Sequence, residues 1–312
     1  MKVFITGGTG FLGAALTKGL LAEGHSVTIL SRSSQNRALK LGLNYTEGNP
    51  TKSGTWQKEV ARHDVVINLA GASIFRTWNE KNREAIRTSR ILTTRNLVEA
   101  IGQAKKNITL LSGSAVGYYG FRDDDELDED SSSGDDFLAE VVKDWEAEAK
   151  RAEEFGARVV LCRIGVILGR DGGALSKMLS VFKWGLGSPL GSGNQWFSWI
   201  ALHDLVNIFL YLMENKAIAG PVNCTSPHPV TNREMTQALG KALHRPTILP
   251  PVPAFVIKGV LGEFSDVFVK GQKVIPGKLL ENGFVFEFPD IKDAFAHLAP
   301  PMSFRGACDE KS

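Results

Sequence analysis

"MKVFITGGTGFLG", residues 1–13, decides how the rest of the chain is read. Lys2 to Thr6 is a short apolar run of the kind that forms a buried strand, and Ser26 to Leu30 is a second one. Between them, Phe11 to Glu23 carries Phe11, Leu12, Leu16 and Leu20 toward one side of a helix. Strand, helix and strand in this order make a βαβ unit. Three glycines stand where the first strand passes into the helix. Gly7 permits the tight turn, Gly10 lets backbone approach a pyrophosphate, and Gly13 lets the helix pack closely on the sheet. The start of the helix then turns unpaired N–H groups toward an anion. The stretch predicts a dinucleotide cradle built by Gly7, Thr9, Gly10, Phe11, Leu12 and Gly13.

The end of the second strand predicts which dinucleotide. An NAD site places an acid there for the ribose 2′-hydroxyl, whereas this chain reads Leu30-Ser31-Arg32-Ser33-Ser34. A guanidinium flanked by hydroxyls takes a 2′-phosphate in a fork and stacks on adenine, and a carboxylate would repel it. Ser31, Arg32 and Ser33 therefore favour NADP over NAD.

Further along, Asp64 to Ala70, Ile108 to Ser112 and Arg158 to Ile164 are nearly continuous apolar runs, separated by helices near Glu80 to Ala104 and Asp135 to Glu154. Such strands belong to a parallel sheet covered on both faces. The predicted fold is a Rossmann-type, doubly wound α/β domain over residues 1–170. A smaller, Pro- and Gly-rich substrate-side region follows over 171–298, with 196–225 returning to the core and 299–312 as a tail. Gly172-Gly173-Ala174 reads as a flexible entry into a helix. The acidic run DDDELDED, 123–130, reads as a solvated loop.

Composition narrows the partners. With 43% hydrophobic residues and a net charge of +2 over 312 residues, the chain has the balance of an ordinary globule and no basic stripe for nucleic acid. Neither a basic stretch leading into an apolar run nor a long uncharged segment is present, which predicts a cytoplasmic protein without a membrane partner. Cys162, Cys224 and Cys308 have neither metal-ligand nor disulfide-framework spacing. A small-molecule substrate is expected, no metal, and a homodimer is allowed.

These residues carry a resemblance. Gly-x-x-Gly-x-x-Gly at 7–13, Asn68-Leu69-Ala70-Gly71-Ala72 and SGSAVGYYG at 112–120 resemble the extended short-chain dehydrogenase/reductases. Trp145-Glu146, RIGVILGRDGGALSKML at 163–179, GSGNQWFSWIALHD at 191–204, GPVNCTSPHPVTN at 220–232 and GQKVIPGKLLENGFVFEFPDI at 271–291 narrow the likeness. They resemble a branch of the NAD-dependent epimerase/dehydratase family named for sugar-nucleotide epimerases and closed by a short C-terminal domain of unassigned role. The resemblance implies that Leu69, Ala70 and Gly71 line the cofactor's adenosine and ribose side, and that Ser114 or Ser112 meets the reacting hydroxyl or carbonyl.

One departure from the family matters. Its members carry Tyr-x-x-x-Lys on the helix after that serine, where the lysine lowers the phenol's pKa for proton exchange. Here the corresponding stretch is Ala139-Glu140-Val141-Val142-Lys143. Tyr118 and Tyr119 are the replacement candidates, with Ser114 and Lys143 completing the expected catalytic set. His203-Asp204 reads more readily as a cap and core pair than as an acid/base dyad. Arg233, Arg245, Lys270, Lys273 and Lys278 would meet phosphates if they converged. Two functions fit: an NADP(H)-dependent oxidoreductase or epimerase acting on a small molecule such as a nucleotide sugar, or a non-catalytic NADP(H)-binding sensor or scaffold.

Overall fold

A computed structural model describes residues 1–33, 40–75, 77–104 and 106–299, apart from the side chain of Leu261. Ser34 and residues 300–312 lie outside the described residues.

Seven strands form the central sheet: β1 (Lys2–Thr6), β2 (Ser26–Ser31), β3 (Leu43–Glu47), β4 (Val65–Asn68), β5 (Thr109–Ala115), β6 (Arg158–Ile164) and β7 (Gly220–Cys224). Their spatial order is β7-β6-β5-β4-β1-β2-β3, and every pairing is parallel. Such a sheet needs both faces covered. Helix α1 (Phe11–Ala22) lies on one face, and α2 (Glu80–Gln103) and α3 (Phe137–Lys150) on the other. The strand order reverses beside β1, which puts a crevice at the carboxyl ends of β1 and β4.

Two further strands complete the expected Rossmann sheet at its edges. LNYTE in β3 is half polar because it closes one side, and β7 enters on Gly220 and Pro221. β5 runs on to Ala115, so Ser112 and Ser114 both lie inside the strand, and Ser114 stands opposite Arg163 of β6. Helix α3 begins at Phe137, where Asp136 accepts from the N–H groups of Leu138 (2.8 Å) and Ala139 (3.1 Å).

The remaining described helices of eight residues or more are α4 (Gly173–Lys183), α5 (Leu202–Glu214), α6 (Asn232–Ala242), α7 (Ala254–Leu261) and α8 (Ile291–Leu298). α5 packs against the α1 face of the sheet, while α4, α6 and α8 bury a separate core around Trp199. Asp204, fully buried, accepts from the N–H groups of Glu287 (2.8 Å) and Phe288 (2.9 Å), so it caps the closing segment, and His203 pairs with Glu287 at 2.7 Å.

The acidic run is exposed at six of its eight residues, as a solvated loop would be, but it is also pinned to distant parts of the chain. Glu126–Leu127 forms a parallel pair with Lys273–Val274, Asp124 accepts from Trp196 Nε1 at 2.8 Å, and Glu126 meets Lys273 at 3.1 Å. Glu129 is buried and accepts from the N–H groups of Asn223 (2.9 Å) and Lys278 (3.3 Å). Those two donors repay part of the cost of its burial, which pushes its carboxyl pKa up. The run docks the C-terminal region onto the sheet.

Candidate functional site

The glycine loop joins β1 to α1, and each glycine is there for a different reason. Gly7 has φ +73°, and a Cβ there would lie 2.7 Å from the Leu69 carbonyl. At Gly13 a Cβ would come within 2.2 Å of Gly7 O, so α1 touches the loop directly. Gly10 differs: an added Cβ meets only Gly7 O, at 3.2 Å, and otherwise points into open space. No side chain caps α1, and its first turn holds no acid, so the N–H groups there remain for an anion. Thr9 and Gly10 are exposed and Phe11 and Leu12 lead into the helix. A backbone shaped in this way fits a dinucleotide's pyrophosphate.

Gly10→Val is therefore expected to fold as the parent does while losing dinucleotide affinity, because the isopropyl group would stand in the anion's place. A thermal melt with and without cofactor checks both halves. An unchanged ligand-induced shift would make the loop a mere turn.

The neighbouring turns are fixed by buried polar contacts. Thr6 Oγ1 donates to Asn68 Oδ1 at 2.7 Å and Asn68 Nδ2 donates to Thr94 Oγ1 at 2.8 Å, which anchors the Leu69-Ala70-Gly71 turn under the glycine loop. At the end of β2, Ser31 Oγ donates to Ser33 O at 2.7 Å, and the turn presents Arg32 to solvent. The Phe11 ring fills the space that a Cβ at Gly169, Gly172 or Gly173 would need. That contact ties the start of α1 to the start of α4.

Ser114 joins a buried polar cluster. Its Oγ donates to Glu146 Oε1 at 2.6 Å, and Arg163 holds the same carboxylate with both arms, Nε to Oε1 at 2.9 Å and Nη2 to Oε2 at 3.0 Å. Arg163 Nη1 also donates to the Tyr119 hydroxyl at 2.9 Å, which in turn donates to Asn223 Oδ1 at 2.7 Å. Tyr119 is fully buried; burial pushes its phenol up to about 12, against the pull of Arg163. Tyr118 is partly exposed and lies over the other side of Arg163, whose guanidinium carbon is 3.5 Å from the ring centroid. Ser112 is fully buried, with its Oγ turned to Gly113 O at 3.3 Å.

The segment that follows β4 meets the start of α3 and the C-terminal region in an aromatic wall. Phe75 meets Phe264 at 5.7 Å, Trp78 meets Phe137 at 5.3 Å and Phe264 at 5.5 Å, and Lys177 Nζ lies 4.5 Å from the Phe75 ring centroid. An open groove of about 860 Å³ lined by Trp78, Arg83, Arg87 and Phe137 includes none of the cradle residues.

Comparison with known proteins gives this arrangement a family. The profile of the NAD dependent epimerase/dehydratase family matches residues 3–224, and that of a domain of unknown function, DUF1731, matches 252–298. The chain belongs to the NAD dependent epimerase/dehydratase family. It is 41% identical over 298 residues to the epimerase family protein SDR39U1 homolog, chloroplastic, of Arabidopsis thaliana, covering 94% of this chain and 85% of that protein. The epimerase family protein YfhF of Bacillus subtilis is 40% identical over 300 residues, covering 96% and 98%. Among solved structures, human epimerase family protein SDR39U1 (isoform 2) with NADPH superposes with a TM-score of 0.84 at 36% identity, covering 97% of this chain and 100% of that one.

At the positions of the Tyr-x-x-x-Lys pair the chain departs from the epimerase/dehydratase pattern. Ala139, at the tyrosine position, is fully buried, and Lys143, four residues on, is exposed. Four of the five C-terminal cations have their own local partners: Arg233 meets Ser192 O, Lys270 meets Asp266, Lys273 meets Glu126, and Lys278 Nζ meets Ala219 O. Among the described residues no group of three or more His, Cys, Asp or Glu side chains could hold a metal ion. No described helix is long and apolar enough to cross a membrane. Sequence reasoning missed the Glu146–Arg163 pair, although an arginine inside the apolar run RVVLCRI is the signal of a buried partner.

Proposed function

We propose that this chain is an NADP(H)-dependent oxidoreductase or epimerase of the short-chain type, acting on a small molecule. The observation that carries the reading is the open backbone at Gly10 in front of an uncapped helix, with Arg32 at the end of the neighbouring strand. The NADPH in the structure of the human relative supports it. When bound, the nicotinamide would supply or accept hydride. Tyr118 would exchange the proton at the substrate oxygen, since the Tyr119 hydroxyl is occupied by Arg163 and Asn223. Ser114 donates its hydroxyl hydrogen bond to Glu146, so its oxygen is left to accept from a substrate hydroxyl. A nucleotide sugar is the substrate class that the family likeness favours.

A specific observation keeps the second reading in view. Lys143 is exposed and Ser114 and Tyr119 are engaged within the protein, as a non-catalytic NADP(H) sensor or scaffold would allow. Net oxidation of NADPH, or conversion of a sugar to its epimer with no net change in the cofactor, for any member of a panel of nucleotide sugars and small carbonyl compounds separates the two.

Cofactor choice is tested directly. NADPH is expected to bind at least about tenfold more tightly than NADH, a gap of about 1.4 kcal/mol, and Arg32→Ala is expected to remove most of it. Matching titration curves for the two cofactors with the unaltered protein would refute the preference.

A further inference from the structure

Helix α4 buries Leu175, Leu179 and Phe182 in the core around Trp199, which leaves Val181 and, just past the helix end, Trp184 in solvent. The residues that follow run beside a second exposed segment. Gly191 N donates to Val252 O and Val252 N to Pro189 O, both at 2.9 Å, and Ser188 Oγ donates to Pro250 O at 2.6 Å. Within a few residues of this junction stand Trp184 (83% exposed), Leu186, Ile248 (87%), Phe255 (76%) and Val260 (78%). Helix α7 is apolar in sequence, AFVIKGVL, yet of its described side chains only Ile257 is buried. The face projects rather than lining a groove: a Cβ at Gly185, Gly259 or Gly262 would meet nothing within 4 Å. Proteins that act alone in water rarely gather so many exposed apolar side chains in one place.

The charges beside these side chains say what they meet. Residues 178–190 and 240–262 contain Lys183, Lys241, Arg245 and Lys258 and no acid, in a chain of 36 basic and 34 acidic side chains. All four cations are exposed, and none has an acidic partner among the described residues. The acids that follow α7 are engaged elsewhere, Glu263 with Arg83 and Asp266 with Lys270. A second copy meeting this face about a two-fold axis would set the four cations against their own kind. An anionic bilayer attracts them instead, and it takes projecting Trp and Phe side chains at headgroup level without a complementary groove. We propose that the end of α4, residues 248–253 and α7 together dock the protein reversibly on a membrane surface carrying anionic lipid headgroups. Such docking needs no spanning segment, so a sequence without a long apolar run is compatible with it.

The test sediments the whole protein with vesicles of phosphatidylcholine alone and of phosphatidylcholine mixed with phosphatidylglycerol, at low and at high salt. Binding to the mixed vesicles is expected to be at least about tenfold stronger than to the neutral ones and to weaken with salt. Trp184→Ser with Phe255→Ser, and separately Arg245→Glu with Lys258→Glu, are each expected to weaken it at least about tenfold. All four side chains are exposed, so both double variants should melt with the parent. The parent's tryptophan emission should move to the blue on the mixed vesicles, and Trp184→Phe should remove most of that shift. Absence of binding to the mixed vesicles at low salt overturns the proposal, as does full binding by either double variant. A concentration-dependent dimer that the Trp184→Ser, Phe255→Ser variant loses overturns it too, because the face would then belong to a second copy.

Discussion

Arg163→Met is expected to destabilise the protein by about 3–5 kcal/mol, the range found when one partner of a buried ion pair is removed. Arg163 and Glu146 are 3% and 5% exposed, and the substitution leaves the Glu146 carboxylate with Ser114 alone. It also deprives the Tyr119 hydroxyl and Glu129 O of a donor. Urea unfolding followed by circular dichroism reads the change as a lower midpoint at constant slope. Replacing both partners, as Glu146→Leu with Arg163→Met, should restore part of the loss, because no unpaired charge remains. A single variant within about 0.5 kcal/mol of the parent, the range of ordinary surface changes, would show that the pair contributes nothing.

Tyr118→Phe is expected to lower kcat by about 10²–10⁴ on any substrate the protein turns over, with NADPH affinity unchanged, since removing a general acid affects the proton step and not the cofactor. Tyr119→Phe is expected to behave in the opposite sense. Its hydroxyl lies between Arg163 at 2.9 Å and Asn223 at 2.7 Å, so its loss costs about 1 kcal/mol of stability and leaves kcat near the parent's. Measuring both variants by NADPH absorbance and by urea midpoint separates the two roles. A Tyr118→Phe protein with full turnover would transfer the proton step to a bound water or to His203.

The parts legible in the sequence are those written locally. Gly7, Gly10 and Gly13 follow an apolar strand and open an amphipathic helix, and every link in that argument lies within residues 1–30. The strands that face no solvent announce themselves by unbroken apolar runs. β3 was harder to see because an edge strand needs apolar residues on one side only, and LNYTE buries little beyond Leu43. The acidic run is legible in part: its exposed acids read as solvated, but the contacts of Asp124, Glu126 and Glu129 need Trp196, Lys273 and the N–H groups of Asn223 and Lys278, which come from far along the chain.

The edge strand Gly220–Cys224 also sets a schedule for the chain's own synthesis. When residues through Ile164 have left the ribosome, β6 has a partner on one flank only, and its other flank is a row of unpaired backbone groups beside apolar side chains. The matching strand follows only after α4 and α5, and Glu129 gains both of its donors only once Lys278 has emerged. A nascent chain halted between these points is a sheet with an open border, the form in which growing chains find one another. Pauses in translation between codons 165 and 224 are therefore expected to lower the yield of folded protein more than pauses elsewhere, since they hold β6 itself at the edge.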